Sequence, residues 1–487
     1  MQHYNVIIIG AGLGGLECGF ALSKLGQKVC VLEKEPHTGG CLQTFTRHGT
    51  VFDTGFHYVG GLDKGQPLYD LFRYFKLTDL PWQRLDNNCF DEVCIGNQCF
   101  PFANGHEHFV ETLTPYFPKH KTELQQFTAL LKDVGDHIYD SFTRTDGLDR
   151  TLFAQSAYDF LNRTISDPLL RKVLSGTSLK MELCPETLPL YVFAQINNSY
   201  IQSAWRLRGG GHQIADQLTH AIKNMGGIVR PNAEVTQLIE NNGKISQIEI
   251  NHQEVLTSDW VISDVHPAYT LSLVSETRLL RHFYRKRIAN LHNTYGMFTA
   301  NLRLQPDIVP YRNHNTFIYA PTADPWHRSN TTDRLMISYA VPESGNAAVN
   351  VDLLTPMSWN AVASWKGTKV GQRGDDYEQL KQHKLQECLQ LAATRLPELP
   401  DAIAEAYTST PLSNSDYTNT VCGSAYGICK DYTNPLATIL TPRTPIENLL
   451  LTGQNLNLHG ILGVSMTAIF TCAVIVGMSK MLKELGL

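Results

Sequence analysis

Residues 5–9, NVIII, form a short unbroken run of mostly β-branched apolar positions, the pattern of a strand buried on both faces. The run opens directly into a glycine-rich turn, Gly10-Ala11-Gly12-Leu13-Gly14-Gly15. From residue 16 to 25 the apolar positions recur at helical spacing, and Gly26 closes the helix. Residues 28–32 return to a continuous apolar strand ending at Glu33. Further on, helical spacing predicts helices over 121–142, 157–176, 212–225 and 376–396. Strand-like runs fall at 228–240, 244–263, 295–305 and 315–321.

One run is apolar all round. Residues 461–478, ILGVSMTAIFTCAVIVGM, carry no charge and are long enough to cross a bilayer. Their wealth of Gly, Ala, Ser and Thr fits a buried helix packed closely on a sheet or cofactor, and that is the reading adopted. Lys480 and Lys483 would then lie near its C-terminus, where positive charge is favoured.

Composition narrows the classes. The chain has 487 residues, with 41 basic and 46 acidic side chains and a formal charge of -5. That balance excludes a dedicated nucleic-acid binder and suggests no basic patch for an anionic membrane. Eleven cysteines are scattered without a framework, and the N-terminus runs straight into a strand. A reducing, cytoplasmic setting with free thiols is expected. Cys89, Cys94 and Cys99 are evenly spaced, as in some redox disulfides. The stretch reads instead as a hairpin around Gly96-Asn97, with no histidine cluster for a metal.

The first forty residues carry the clearest chemistry. Strand, glycine turn, helix, second strand and acid follow in the order of a dinucleotide site. Gly10 permits the tight turn, Gly12 lets backbone approach a pyrophosphate, and Gly15 lets helix and strand pack closely. Glu33 stands where a carboxylate holds ribose hydroxyls. A second such fingerprint is not seen, since Gly209-Gly210-Gly211 lacks the spacing. Tight NAD(P)H binding is therefore not expected, and electrons must pass to or from another donor or acceptor.

The segment GGCLQTFTRHGTVFDTGFHYVGG, residues 39–61, resembles the FAD-dependent amine oxidase and phytoene desaturase superfamily, and more closely its retinol saturase branch. STPLSNSDYTNTVCGSAYGI at 409–428 and LLLTGQNLNLHGILGVSMTA at 449–468 are similar to later elements of that branch. The resemblance implies an α/β fold, with a Rossmann-like FAD-binding domain interleaved with an α+β substrate domain. The first would take residues 1–75, 204–275 and 409–487, the second 76–203 and 276–408.

It also implies FAD as cofactor. Gly10, Ala11, Gly12, Leu13, Gly14, Gly15, Glu33 and Lys34 would hold the nucleotide, with Val235 near the adenine. Gly39, Gly40, Cys41, Asp53, Thr54 and Gly55 would wall the flavin side, with Gly453, Gln454, Gly463 and Val464 from the C-terminal element. His57 and Tyr58 are the catalytic candidates, as a proton donor or as braces for the loop, and His459 is placed similarly. The implied activity is saturation or desaturation of a hydrophobic polyene or isoprenoid. Alternatives are a redox-neutral carotenoid isomerase, an amine oxidase-like enzyme and a flavin-free prenyl-binding escort. A lipid substrate requires at least transient contact with a membrane surface, but no amphipathic basic helix stands out for it.

Overall fold

The computed structural model describes residues 1–140 and 150–487. The end of the first expected helix, residues 141–142, lies outside them. Two seven-stranded sheets organise the rest.

In the first sheet, Ile228–Arg230, Val29–Leu32, His3–Ile9, Glu254–Ser263 and Leu449–Leu451 run parallel in that order. Val235–Asn241 and Lys244–Ile250 extend it as an antiparallel hairpin on Glu254–Ser263. Val6 and Ile8 point into one hydrophobic core, and Ile7 and Ile9 into another. Burial on both faces is why the strand reads as a continuous apolar run. This is the α/β, Rossmann-like arrangement expected.

The helix Leu13–Lys24 covers one face and packs against Gly460–Val476. Glu17, fully buried, accepts a 2.6 Å hydrogen bond from the Ser465 hydroxyl. The residue 461–478 run is thus a buried helix, and no helix among the described residues is long and apolar enough to cross a membrane. It stops at Val476, two residues before the apolar run does. Gly477 takes φ 90°, and a separate helix, Met478–Leu485, carries Lys480 and Lys483. Only Lys483 lies in a last turn, and that turn belongs to the second helix.

The second sheet orders Ile403–Ser409, Gly296–Leu304, Asn350–Met357, Arg334–Tyr339, Asn315–Tyr319, Asp91–Ile95 and Gln98–Phe102. A helical layer that includes Lys121–Asp136 and Leu190–Gln202 lies on one face, and Asp375–Ala393 on the other. The helix expected over 157–176 is two helices, Ala157–Thr164 and Pro168–Leu174. Asp167 ends the first stretch by capping the second, its carboxylate accepting from Leu169 and Leu170 at 2.8 and 2.9 Å.

The hairpin around Gly96-Asn97 is present, but the free-thiol expectation fails there. Its register sets Cys94 opposite Cys99, with Cα atoms 4.0 Å apart, and the two form a disulfide. Even spacing hid this, because pairing is set by hairpin register and not by sequence distance. The closed loop is short, so the bond should contribute no more than ~2 kcal/mol. A Cys99→Ser variant should lose at most that in urea unfolding. Non-reducing alkylation of the unfolded wild type should leave two of the eleven thiols unmodified; full alkylation would show the bond does not form.

Candidate functional site

One elongated cavity of about 380 Å³ opens at the C-terminal ends of the parallel strands and reaches the second sheet. Open α/β sheets bind ligands at this edge. At its first end stand Gly10, Gly12, Leu13 and Gly14 from the turn, and Glu33 and Lys34 from the second strand. Val235 joins them from the hairpin.

Close packing shapes this end. A Cβ on Gly15 would sit 2.1 Å from the Gly10 carbonyl oxygen, so only glycine lets helix and strand meet here. The Glu33 carboxylate accepts from the Ala11 and Glu35 amides at 2.8 and 2.9 Å. The Gly39 amide donates to the Ala11 carbonyl at 2.7 Å, and Gly39 does so at φ 117°, which favours glycine. The Gly39-Gly40 loop is thereby fastened to the first turn.

Two helix N-termini open on the cavity, at Gly12–Gly14 and Gly460–Leu462, and neither has a capping side chain. Unpaired N–H groups and the positive dipole end make both ready acceptors of negative charge.

Of the residues predicted from sequence, Gly39, Gly40, Cys41, Thr54, Gly55, His57, Tyr58, Gln454 and Val464 also line the cavity. Ala11, Gly15, Asp53, Gly453 and Gly463 do not. Gly463 packs on the Leu458 carbonyl, where a Cβ would come within 2.3 Å. Asp53 accepts from the Gly211 amide at 2.7 Å and so ties the loop to the next glycine turn.

His57 faces the cavity but is paired behind it. Its Nδ1 lies 3.6 Å from Asp352 of the second sheet. Asn301 donates to Asp352 at 2.7 Å and to the Asp53 carbonyl at 3.3 Å. The Tyr58 hydroxyl donates to Asp91 at 2.8 Å. Burial and the Asp91 charge raise that phenol well above its ordinary range.

Sequence reading missed the partner of this tyrosine. Asp91 is fully buried, and it accepts from Lys180 at 3.2 Å and from Asn315 at 2.8 Å. Lys180 lines the cavity beneath the Tyr200 ring, its Nζ 4.1 Å from the centroid. Burial lowers the lysine, opposed by Asp91, and raises Asp91, opposed by the lysine. Each partner partly offsets the other's burial. Around it the far end of the cavity is apolar, with Leu179, Ile196, Met297, Met336 and Leu354. His459 Nε2 donates to the Lys180 carbonyl, 3.0 Å away, so that atom carries the hydrogen. Burial pushes its ring down to about 4, which keeps the imidazole neutral.

Asp264 was missed as well. It follows the strand beside the first one, and its carboxylate oxygens lie 2.6 Å from where Cβ atoms on Gly12 and Gly14 would stand. Its place at a parallel strand's C-terminal end was the available signal.

Residues 8–75 match the family described as NAD(P)-binding Rossmann-like domain. The chain is 26% identical over 529 residues to the zebrafish (Danio rerio) all-trans-retinol 13,14-reductase, covering 98% of this chain and 86% of that one. It is 23% identical to a 4,4'-diapophytoene desaturase of a Methylomonas species, over 65% of this chain and 64% of that one. These relatives support a likeness to the retinol saturase-like branch. A crystal structure of an oxidoreductase from Methanosarcina mazei shares its fold, with TM-score 0.65 and 19% identity over 95% of this chain and 98% of that one. The Rossmann-like match supports a dinucleotide cofactor.

Asp264 gives a pH test. Burial, with Glu33 adding its charge, raises it from 3.8 to about 7. Asp53 is raised similarly, to about 7, chiefly by burial. Both keep a proton when folded that they release when unfolded, so stability must fall as pH rises from about 4 to about 7. Urea unfolding of cofactor-free protein should show that decline, and Asp264→Asn should flatten part of it. An unchanged slope in the variant would mean Asp264 does not hold a proton in the folded state.

Proposed function

We propose that the chain is an FAD-dependent oxidoreductase acting on carbon–carbon bonds of a hydrophobic polyene or isoprenoid, as a saturase or desaturase. The observation that carries this is one continuous cavity, which joins a dinucleotide cradle to an apolar chamber. The residues present fit FAD. A side chain at Gly15 would break the turn, both helix N-termini are open, and Glu33 is held by backbone amides with lone pairs left for ribose hydroxyls. When bound, FAD supplies the hydride chemistry. The substrates in the relatives' names, a retinol and a diapophytoene, support a polyene for this chain.

The chain's own residues have separable tasks in this reading. His57 braces the loop through Asp352. Tyr58 holds Asp91 in place, its proton aimed into the wall and away from the chamber. Lys180 and Asp91 hold a proton between them at the chamber wall, at Nζ or on the carboxylate. Met297, Met336 and Leu354 exclude water from the substrate. An amine substrate is disfavoured: Tyr58 and Tyr200 touch each other at 4.5 Å between centroids, leaving no slot between the rings.

Purified protein should be yellow, or become so with added FAD. After anaerobic chemical reduction, adding a retinoid or carotenoid should reoxidise it with loss of a double bond. Retained colour with no reoxidation by any polyene would reject the substrate class. Isomerised product without reoxidation would favour the redox-neutral alternative. Lys180→Met should slow reoxidation by ~100-fold or more with FAD content unchanged. Tyr58→Phe should do less, and His57→Ala should act mainly by lowering FAD retention. A Lys180→Met enzyme with full activity would remove the lysine from the reaction.

A further inference from the structure

The chain as a whole is acidic, at -5, yet one segment is strongly basic. Residues 278–287, RLLRHFYRKR, hold Arg278, Arg281, Arg285, Lys286 and Arg287 with no acidic residue among them. Whole-chain charge conceals this run, and the expectation of no basic surface was wrong locally. The structure shows what the run does. The helix His282–Ala289 carries most of it on the surface. Arg285 turns inward and donates to the carbonyls of Leu271, Val274 and Ser275, fastening the segment to the helix Pro267–Leu273. Tyr269 of that helix lines the cavity. Arg278, Arg281 and Lys286 remain exposed, and none of them pairs with a carboxylate among the described residues. Glu276 is the acidic group whose charge reaches the segment, and it acts on Arg285.

Large apolar side chains stand among these cations. Phe283 is 78% exposed and Leu279 40%. Arg287 packs over Tyr284 and reaches the Ala437 carbonyl at 3.5 Å, which brings the short helix Pro435–Thr438 alongside. Leu436 on that helix is 76% exposed. Leaving a phenylalanine and two leucines in water is unfavourable, and here Leu279 and Phe283 are interspersed along the chain with unpaired cations, while Leu436 adjoins the Ala437 carbonyl that Arg287 reaches. Acidic protein surfaces match the cations but give protruding apolar groups nothing to enter. An anionic bilayer matches both, through surface potential for the cations and an interfacial region for Phe283, Leu279 and Leu436.

We propose that residues 278–287, with Leu436, form a docking surface for an anionic phospholipid membrane. The argument rests on surface chemistry alone and holds whether or not the substrate is a polyene. It gives a chain without a membrane-crossing helix among its described residues a defined way to lie on lipid.

Flotation of the full-length protein with phosphatidylcholine vesicles, with and without phosphatidylserine, tests this at about 0.15 M salt. Binding should require phosphatidylserine. Reversing three charges, Arg278→Glu, Arg281→Glu and Lys286→Glu, should weaken partition about a hundredfold. Phe283→Ser should weaken it about tenfold with every charge kept. These positions are exposed, and thermal melts would confirm that both variants fold. No flotation of wild type with phosphatidylserine overturns the proposal. So does a Phe283→Ser variant that binds as well as wild type, because the patch would then be purely electrostatic and open to any polyanion.

Discussion

The backbone of one residue, Ala11, is the hinge of the whole arrangement. The Ala11 N–H is held by Glu33, and the Ala11 carbonyl holds Gly39. Three segments distant in sequence are therefore fixed at the end of the first strand: the glycine turn, the acid after the second strand and the loop that walls the cavity. Neither hydrogen bond is strong in net terms, about 1 kcal/mol for a neutral pair and more with a carboxylate. Their effect is geometric. They form in a place where Gly10 and Gly15 already force helix and strand into contact, so the amide cannot shift to meet water instead. The long cavity follows, since its two ends are held by different sheets and this residue joins the first end to the loop leading to the second.

That constraint explains what could be read from the sequence. Residues 5–33 were legible because every step is local: a run of apolar residues, glycines at fixed spacing, a helix, a strand and an acid. The small-residue helix Gly460–Val476 was legible for a related reason, since close packing on Leu13–Lys24 demands small side chains whatever the partner. Boundaries were less so. The split at Asp167 depends on a cap, and the break at Gly477 on one residue's φ.

The chamber end was not legible, and the reason is physical. Asp91 sits in a hairpin strand and Lys180 in a short turn, each an ordinary surface residue by type. They meet only because the second sheet and the helical layer fold over each other. Cys94 and Cys99 pair through hairpin register, and Asp264 gains its significance from the parallel strand beside it. In each case the information lies in a contact between elements, and residue identity alone carries little of it.

The Asp91–Lys180 pair then bears on what the chamber can admit. Burying either ion alone would cost several kcal/mol, and removing one would leave the other uncompensated. As a pair, with Tyr58, Asn315 and the Tyr200 ring supplying the remaining contacts, they present almost no net charge to the cavity. A hydrophobic ligand can therefore lie against them without stripping water from a bare charge. The same pairing keeps a proton at the chamber wall without making the wall wet. An apolar residue in place of the lysine would leave Asp91 to take up a proton and Tyr58 to lose its fixed acceptor, so the wall's polarity and the orientation of the tyrosine rest on one ammonium.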